Sequence, residues 1–456
     1  MKIIILGAGT VGTTLAISLS QEDNDITVVD NNQSALHHLE EEADIKTVHG
    51  SCSYPNTLVN SGIKEADMVV AVTGSDEINI VSCLVSKVLS ENVKTIARIR
   101  ESSYLKGRTK RAIEEGVIPV DIVVSPEKLI TNHIQALIET PGSLQVLEFG
   151  DGLLNLVGVR AIKGGPLIGH EIGDLKKHMP NVDTRVAAIF RKGGAIIPKG
   201  TTTVEAGDEV FFIARRKDAR KVINEMRKKE DPYKYIVIAG GGKIGSALAE
   251  QIEDNHTVKL IEANSEKAKE ISERLIDTIV LEGNVSDKSL LHEENIEECD
   301  VFVAVTNDDE ANVMSCMLAK EMGAHKVIAL INNEAYVDLV QDKGIDVAIA
   351  PSQITIGTFL SELAGDEVVK VHSLRRGAAE AIETIVKEST NGKEDAIGKE
   401  LGNIRLPAGA TIGAIIRKNK AKIAHDDVKL REHDHVILFL TDKKLLPKIQ
   451  QIFSPS

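Results

Sequence analysis

The sequence lacks several features that would narrow its class directly. It has no tryptophan, and its four cysteines form no Cys-x-x-Cys pair, which disfavours a zinc site or a disulfide framework and indicates a reducing compartment. No apolar run reaches the roughly 18 residues that a bilayer-spanning helix needs. We therefore expect a soluble intracellular protein that meets a membrane only through a partner. The cysteines, which we interpret as small buried hydrophobic residues, are Cys52, Cys83, Cys299 and Cys316.

Positive charge is scarce as well. The 456 residues include 54 Lys and Arg against 68 Asp and Glu, which gives a formal net charge of −14 and a pI near 5.5. Sequence-independent binding of nucleic acid depends on clustered Lys and Arg that displace counterions from phosphates. This balance argues against nucleic acid as a partner. The length alone, at roughly 150 residues per domain, suggests about three domains.

One glycine signature, in contrast, occurs twice. Gly7–Gly12 reads GAGTVG and Gly240–Gly245 reads GGGKIG, and their first glycines lie 233 residues apart. The same offset relates Ala71–Thr73 to Ala304–Thr306, both of which read AVT. An offset kept over this distance indicates an internal repeat of a whole nucleotide-binding module, so we expect an even number of domains, two or four.

Short apolar runs alternate with longer helical patterns around each signature. This succession predicts βαβ units and a parallel sheet covered by helices on both faces. Each such region is followed by hairpin-rich sequence. The predicted fold class is α/β, with two Rossmann-like parallel-sheet domains, each followed by a small α+β domain. The predicted boundaries are 1–140 (A1), 141–230 (B1), 231–365 (A2) and 366–456 (B2).

The same patterns place individual elements. Turns are expected at 191–194 and near 418–420, where glycine, asparagine and lysine separate apolar runs. We expect strands in A1 at 3–6, 26–29, 45–48, 68–72, 95–99 and 121–124, strands in B1 at 153–159, 185–190, 195–197 and 210–214, and in B2 strands at 411–416, 422–424 and 436–440 before a helix at 443–453.

Each parallel-sheet region ends at a proline that opens a helix. Pro126 and Pro351 stand at this position, where a missing backbone N–H costs no hydrogen bond. Both helices carry an apolar stripe that needs a covering surface. The sequence leaves two alternatives open, packing on the helix's own sheet or crossing to a second subunit.

The glycine signature is the predicted ligand-binding element. In each copy it follows a strand, opens a helix and precedes an acidic residue at the end of the next strand, Asp30 in the first half and Glu262 in the second. The free amides at the helix start suit a pyrophosphate. The acidic side chain would accept hydrogen bonds from ribose hydroxyls and repel a 2′-phosphate, which favours NAD or an adenine nucleotide over NADP. A Rossmann-like sheet without a ligand is the alternative.

Gly7–Gly12 and Asp30, together with Gly50-Ser51, Ala71–Thr73 and Ile96–Arg98, resemble the regulator-of-potassium-conductance (RCK, or KTN) nucleotide-binding domain. B1 and B2 resemble the small C-terminal domain that accompanies it. Tandem copies of both, covering essentially the whole chain, resemble the regulatory subunits of bacterial potassium uptake. The resemblance implies a cytoplasmic gating subunit, held at the inner face of the plasma membrane by a potassium-translocating membrane subunit. It also implies binding of NAD or NADH, with ATP or ADP as further candidates, and a homo-oligomer, either dimer or tetramer.

By position, the resemblance implies ligand contacts in the glycine loop, at the acidic residue and at the ends of the third to fifth strands. In the first half these are Gly7, Ala8, Gly9, Thr10, Val11, Asp30, Ser51, Cys52, Thr73, Gly74 and Arg98. In the second half they are Gly240, Gly241, Gly242, Lys243, Ile244, Glu262, Gly283, Asn284 and Thr306. Arg98 is expected over the phosphates, where a guanidinium suits paired oxygens. Because Leu330 replaces it in the second half, we expect a weaker or differently selective second site, with Lys243 as a substitute charge.

Other residues have structural interpretations. We expect Cys83 and Cys316 in the core, His37, His38, His433 and His435 in solvent, and Asp76, Asp308 and Asp309 at helix starts. No catalytic or metal-ligating set is apparent. An NAD-dependent oxidoreductase would need a substrate domain with a general acid or base, and the B regions offer none, so we rank this alternative, and a purely structural scaffold, below the nucleotide sensor.

Overall fold

The computed structural model describes residues 1–20, 24–340, 343–363, 368–374, 378–387 and 396–453. Its contacts divide the chain into two compact units. One unit contains residues 1–129 with 351–362, and the other contains residues 130–350 with 363–456. The four predicted domain boundaries stay predictions, and the names A1, B1, A2 and B2 are kept for these regions of the chain.

A1 forms a parallel sheet in the order β3-β2-β1-β4-β5-β6. Its central strands are continuous apolar runs because helices cover both faces. The strands are β1 (Lys2–Leu6), β2 (Asp25–Asp30), β3 (Lys46–His49), β4 (Met68–Ala71), β5 (Lys94–Arg98) and β6 (Ile122–Val124). The helices are α1 (Thr10–Ser20), α2 (Gln33–Glu42), α3 (Pro55–Asn60), α4 (Asp76–Leu89), α5 (Gly107–Glu114) and α6 (Pro126–Glu139).

B1 is an antiparallel sheet in the order β10-β9-β11-β8-β7. Its hairpin turn lies at Lys192 and Gly193, both with positive φ (49° and 85°), which is the two-residue geometry that matches strand twist. The strands are β7 (Ser143–Phe149), β8 (Leu154–Arg160), β9 (Thr184–Arg191), β10 (Gly194–Ile196) and β11 (Glu209–Arg215), and the helices are α7 (Leu175–His178) and α8 (Ala219–Met226).

A2 repeats the topology of A1, in the order β14-β13-β12-β15-β16-β17. Its strands are β12 (Tyr235–Ala239), β13 (Thr257–Glu262), β14 (Ile279–Glu282), β15 (Val301–Ala304), β16 (Lys326–Leu330) and β17 (Val347–Ile349). Its helices are α9 (Lys243–Ile252), α10 (Ser265–Arg274), α11 (Lys288–Glu293), α12 (Asp309–Met322), α13 (Glu334–Val340) and α14 (Pro351–Leu363). The duplicated parallel-sheet fold predicted from the sequence is confirmed.

B2 repeats the antiparallel sheet in the order β18-β19-β22-β20-β21. Its strands are β18 (Val368–Leu374), β19 (Ala379–Ile385), β20 (Ala410–Arg417), β21 (Lys420–Ile423) and β22 (His435–Leu440), followed by α15 (Leu446–Phe453). The predicted turn at Lys418 and Asn419 is present, with φ of 47° and 56°. The sequence did not predict β7, β18 or β19.

The two antiparallel sheets share one apolar core within their unit. Buried side chains from B1 and B2 belong to a single cluster, and the large members include Phe149, Phe190, Phe211, Ile416 and Phe439. Burying apolar surface between two sheets in this way stabilises both. B1 and B2 therefore form a pair inside one chain.

One histidine of this region is only partly in solvent. The side chain of His435 is 36% exposed, and its Nδ1 lies 2.7 Å from Oε1 of Glu383, whose side chain is almost fully buried. The other carboxylate oxygen of Glu383 accepts from the backbone N–H of Gly150 at 3.3 Å. The hydrogen bond to Glu383 raises the pKa of His435. In contrast, His37, His38 and His433 are exposed as expected.

The two helices that begin with proline, α6 and α14, are exchanged between the halves of the chain. Residues 351–362 of α14 belong to the unit of the A1 sheet, and residues 130–139 of α6 belong to the unit of A2. In the latter unit, the buried ammonium of Lys326 on β16 donates to the carbonyls of Leu137 (3.3 Å) and Ser143 (2.9 Å). Packing on the helix's own sheet is therefore wrong for residues 130–139 and 351–362, which group with the other A region of the chain, and crossing to a second subunit stays a prediction.

Candidate functional site

The first glycine loop joins β1 to α1, and its glycines differ in the atoms that an added Cβ would contact. Gly7 has φ of +114°, and a Cβ there would lie 3.1 Å from the backbone of Thr73. A Cβ on Gly12 would lie 1.9 Å from the carbonyl oxygen of Gly7, so only glycine lets α1 start this close to β1. A Cβ on Gly9 would meet nothing within 4 Å. The protein itself gives no reason for a glycine at this position, and the open space lies in front of the helix start.

The second loop, between β12 and α9, repeats this geometry. Gly240 has φ of +110°, a Cβ on Gly245 would lie 1.9 Å from the carbonyl oxygen of Gly240, and a Cβ on Gly242 would meet nothing within 4 Å. Gly241, at the place of Ala8, sits where a Cβ would lie 2.5 Å from Ile271. Both loops therefore leave the same space open beside the free amides of a helix start.

The acidic residue at the end of the second strand holds each loop. In A1 the Asp30 carboxylate accepts from the backbone N–H of Ala8 (2.6 Å) and of Asn32 (2.8 Å). In A2 the Glu262 carboxylate accepts from the N–H of Gly241 and of Asn264, both at 2.9 Å. Each carboxylate oxygen keeps a further lone pair. The acids are thus placed beside the loop with capacity to accept from ribose hydroxyls.

A buried asparagine that sequence analysis missed joins the ends of the fourth and fifth strands of A1. The side chain of Asn79, on α4, accepts from Thr73 N (2.9 Å) and Thr73 Oγ1 (2.7 Å) and donates to the carbonyl of Arg98 (2.9 Å). This asparagine clip orients Thr73 toward its helix, so its hydroxyl is already engaged. It positions the two strand ends at the carboxyl edge of the sheet, where open α/β sheets bind ligands.

The clip is duplicated in A2. Asn312 accepts from Thr306 N (2.9 Å) and Thr306 Oγ1 (2.7 Å) and donates to the carbonyl of Leu330 (2.9 Å). Asn79 and Asn312 are completely buried and stand at the 233-residue offset of the glycine loops. That offset is the signal from which the sequence could have revealed them.

Arg98 ends β5 at this same edge. Its Nε is buried and has no hydrogen-bond partner among the residues that the structure describes. Burial, and secondly the neighbouring Arg100, lowers the pKa of the Arg98 guanidinium. Arg100 itself is engaged, because it donates to the carbonyl of Gly74 and lies 3.7 Å from Asp76. The Arg98 side chain is half-buried, and the carboxylates of Glu127 and Asp76 act to raise its pKa. Its buried Nε still has no acceptor within the described chain, and a phosphate oxygen suits this position.

The other expected contacts of A1 divide into two groups. Thr10 and Val11 lie in the first turn of α1, and Ser51 follows β3 with its hydroxyl 3.3 Å from Ser53. Cys52 is different, because its buried thiol points into the core and donates to the carbonyl of Val29 at 3.4 Å. Burial raises the pKa of this thiol to about 12. Only the backbone of Cys52 therefore faces the site.

In A2 the corresponding residues occupy the same places. Lys243 and Ile244 lie in the first turn of α9. The N–H of Gly283 donates to the carbonyl of Glu262 at 3.0 Å, and the side chain of Asn284 accepts from Ser286 N at 2.9 Å. Leu330, at the place of Arg98, is 5% exposed. The second site thus keeps the loop and the acid but has no guanidinium at this strand end.

The remaining candidates have structural roles. Cys83 and Cys316 are completely buried, as expected. Asp308 caps α12 by accepting from Ala311 N at 2.8 Å. Asp76 and Asp309 lie one residue inside their helices and instead accept from the backbone of the segment after the fifth strand. Within the described ranges, no group of His, Cys, Asp and Glu side chains has the arrangement of a metal site.

The arrangement fits an adenine dinucleotide or nucleotide. Gly9 faces open space at the helix start, the buried Nε of Arg98 has no hydrogen-bond partner within the described chain, and Asp30 lies beside the loop. When bound, such a ligand would bring an anionic phosphate to the helix start and to Arg98, and ribose hydroxyls to Asp30.

Comparison with known proteins agrees with this geometry. Residues 3–126 and 236–351 match the TrkA-N domain, and residues 156–227 match the TrkA-C domain. The TrkA-N matches cover more than half of the chain. This chain belongs to the TrkA family. The resemblance to RCK proteins seen in the sequence is thereby confirmed.

Full-length relatives carry the name Trk system potassium uptake protein TrkA. The protein of Halomonas elongata is 52% identical over 453 residues, covering 99% of this chain and 98% of the relative. That of Vibrio alginolyticus is 49% identical over 458 residues, covering 100% and 99%. Among solved structures, the GsuK RCK domain aligns with a TM-score of 0.62 at 19% identity, covering 100% of this chain and 95% of that one. At this identity the likeness concerns the fold alone. No helix within the described parts of the chain is long and apolar enough to cross a bilayer.

Proposed function

We propose that this TrkA-family chain is the nucleotide-sensing regulatory subunit of a potassium uptake system. The family relatives named as Trk potassium uptake proteins support the system. The single observation that carries nucleotide sensing is the buried Nε of Arg98, without a hydrogen-bond partner in the described chain, at the same sheet edge as a glycine loop whose middle glycine faces open space. The protein acts by binding and is not an enzyme.

The proposed ligand of the first site is NAD or NADH, with ATP and ADP as competitors for the same pocket. The part they share is adenosine joined to a diphosphate. Asp30 accepts from the ribose, the amides at the start of α1 meet the phosphates, and Arg98 binds phosphate oxygens. A 2′-phosphate would place a second anion against Asp30, so NADP is disfavoured.

The proposed partners are further copies of this chain and a potassium-translocating membrane subunit. An exposed apolar stripe supports self-association. On α4, Val81 and Leu84 are 43% and 45% exposed, and Val88 is 75% exposed. On α12 the positions of the first two are Met314 and Met317, exposed by 60% and 42%. Exposed apolar patches of this kind mark interaction surfaces. The site of action is the cytoplasmic face of the membrane.

The test is a binding and flux comparison of two aspartate variants. Asp30→Ala is expected to abolish NADH binding at the first site, measured by titration calorimetry, and ligand-dependent potassium flux of the complex. Asp67→Ala is the matched control, because Asp67 also accepts a backbone N–H, that of Lys2 at 2.7 Å, but at the opposite edge of the same sheet. Unchanged NADH binding in Asp30→Ala would refute the proposed site. Turnover of NADH with oxo-acids above background would refute the non-enzymatic role.

A further inference from the structure

The two sites differ in charge although they share their loops. At the end of β5, Arg98 and Arg100 bring two guanidinium groups to the first site, whereas Leu330 and Asn332 take these places after β16. Leu330 is buried. The side chain of Asn332 donates to Asp309 at 3.0 Å. The second site therefore receives no cation from this strand.

The helix that follows the fourth strand adds to the difference in charge between the two sites. In A1 the cap of α4 is the neutral hydroxyl of Ser75, which accepts from Ile78 N at 3.2 Å. In A2 the cap of α12 is the carboxylate of Asp308. One cation is added in the second site, because Lys243 stands at the place of Thr10. At these four paired positions the first site thus carries two more positive charges than the second. Asp76, which lies 3.7 Å from Arg100, has its counterpart in Asp309, so this difference remains.

This loss of positive charge is selective and does not reflect a decayed site. Glu262 holds its loop as Asp30 does, Gly242 leaves the same open space, and the Asn312 clip is intact. The parts that recognise adenosine and the first phosphates are thus kept. What changes is the electrostatic environment in which further phosphates would lie.

The candidate ligands differ in the same property. The two phosphates of NAD or NADH carry one charge each, and the nicotinamide riboside that follows them is neutral in NADH and positively charged in NAD. In ATP a terminal phosphate follows instead and adds about 1.5 to 2 negative charges at pH 7. Like charges brought together at a partly desolvated site repel strongly. The second site, which has two fewer positive charges at the paired positions, therefore penalises the triphosphate more than the dinucleotide.

We propose, on the basis of the nucleotide-sensing function above, that the two sites divide the nucleotides by charge. The first site accepts both the nicotinamide dinucleotide and nucleoside polyphosphates, and the second site selects the dinucleotide against ATP. The residues that set this selectivity are Arg98 and Arg100 in the first half, and Leu330 and Asp308 in the second. A single chain then responds separately to the dinucleotide and to ATP.

The experiment measures NADH and ATP affinities at each site of the full-length protein. Glu262→Ala silences the second site and Asp30→Ala the first, and titration calorimetry gives the two dissociation constants for each variant. We expect the ratio of the ATP constant to the NADH constant to be at least about 10-fold larger in Asp30→Ala than in Glu262→Ala, and the difference to shrink in high salt.

Exchange of the selective residues tests the cause. In the Asp30→Ala background, Asp308→Ser is expected to tighten ATP binding by about 3- to 10-fold and to leave NADH binding nearly unchanged. This substitution keeps the helix cap, since serine caps α4 in the first half. In the Glu262→Ala background, Arg98→Leu is expected to weaken ATP more than NADH. Adding Leu330→Arg to Asp308→Ser is expected to tighten ATP binding further.

The outcomes separate the two proposals. If both sites bind nucleotide with the same ATP to NADH ratio, or if Asp308→Ser and Arg98→Leu change both ligands equally, the division by charge is refuted and the sensor function stands. If neither site binds any nucleotide, the sensor function itself is refuted.

Discussion

Replacing Asn79 by leucine is expected to destabilise A1 and to weaken its nucleotide site together. The substitution keeps the branched shape of the side chain but removes the asparagine clip. The N–H of Thr73 and the carbonyl of Arg98 then lose their partners in a place where Asn79 is fully buried. Each unsatisfied buried group costs about 1 to 3 kcal/mol, so the loss is about 2 to 6 kcal/mol of the free energy of unfolding. This is a large part of the roughly 5 to 15 kcal/mol that stabilises a domain.

The assay is urea unfolding of the full-length protein followed by titration with NADH. Ser86→Ala is the control, because Ser86 lies buried on the same helix and its hydroxyl has no hydrogen-bond partner within the described chain. It is expected to change the free energy of unfolding by less than about 1 kcal/mol, since no hydrogen bond is lost. Asn312→Leu is expected to destabilise A2 and leave the first site's affinity unchanged. If Asn79→Leu changes the free energy of unfolding as little as Ser86→Ala does, the asparagine clip does not stabilise the strand ends and the reasoning is wrong.

Three further outcomes are expected. Gly9→Ala should weaken NADH binding and leave the free energy of unfolding unchanged within about 0.5 kcal/mol. Gly12→Ala should destabilise A1, because its Cβ would lie 1.9 Å from a carbonyl oxygen. Calorimetry and thermal melting of both variants check this, and equal stabilities would contradict it. Because the pKa of His435 is raised, its pairing with Glu383 stabilises the protein below pH 6.5, and this stabilisation disappears as the pH rises through the raised value. Between about pH 6 and pH 8.5 the free energy of unfolding should therefore fall more in the wild type than in His435→Gln. Lys326→Met should speed hydrogen exchange at the end of α6 and the start of β7, because the carbonyls of Leu137 and Ser143 lose their donor, and unchanged exchange would contradict it.

The parallel-sheet regions and their glycine loops could be predicted because their signals are local and occur twice. The strands of A1 and A2 are continuous apolar runs, and Gly7 and Gly12 are required by backbone contacts at fixed spacing. Asp30 was found because its place at the end of the second strand follows from the same spacing. The glycine spacing and the position of Asp30 are therefore visible in a short stretch of sequence, although the backbone of Thr73 that requires Gly7 lies further along the chain.

The features that the sequence did not reveal depend on distant neighbours. β19 reads Ala-Glu-Ala-Ile-Glu, a composition that favours helix, and it is a strand because β18 and β22 pair with it. β7 and β18 are edge strands that contain polar residues. His435 seemed solvated because Glu383, its partner, lies 52 residues away. An apolar stripe on α6 or α14 shows that a surface must cover it but not which surface.

The charge difference between the sites bears on how many chains a regulated complex needs. One ligand site that is coupled to a conformational change supplies about 1 to 3 kcal/mol. Driving a two-state gate from mostly closed to mostly open takes about 5.5 kcal/mol. If ATP occupies only the first site of each chain, a single chain cannot supply this energy, and at least two chains must act together. The dinucleotide, with two sites per chain, reaches the same energy with half as many chains. A complex that responds to ATP as steeply as to NADH must therefore contain several chains.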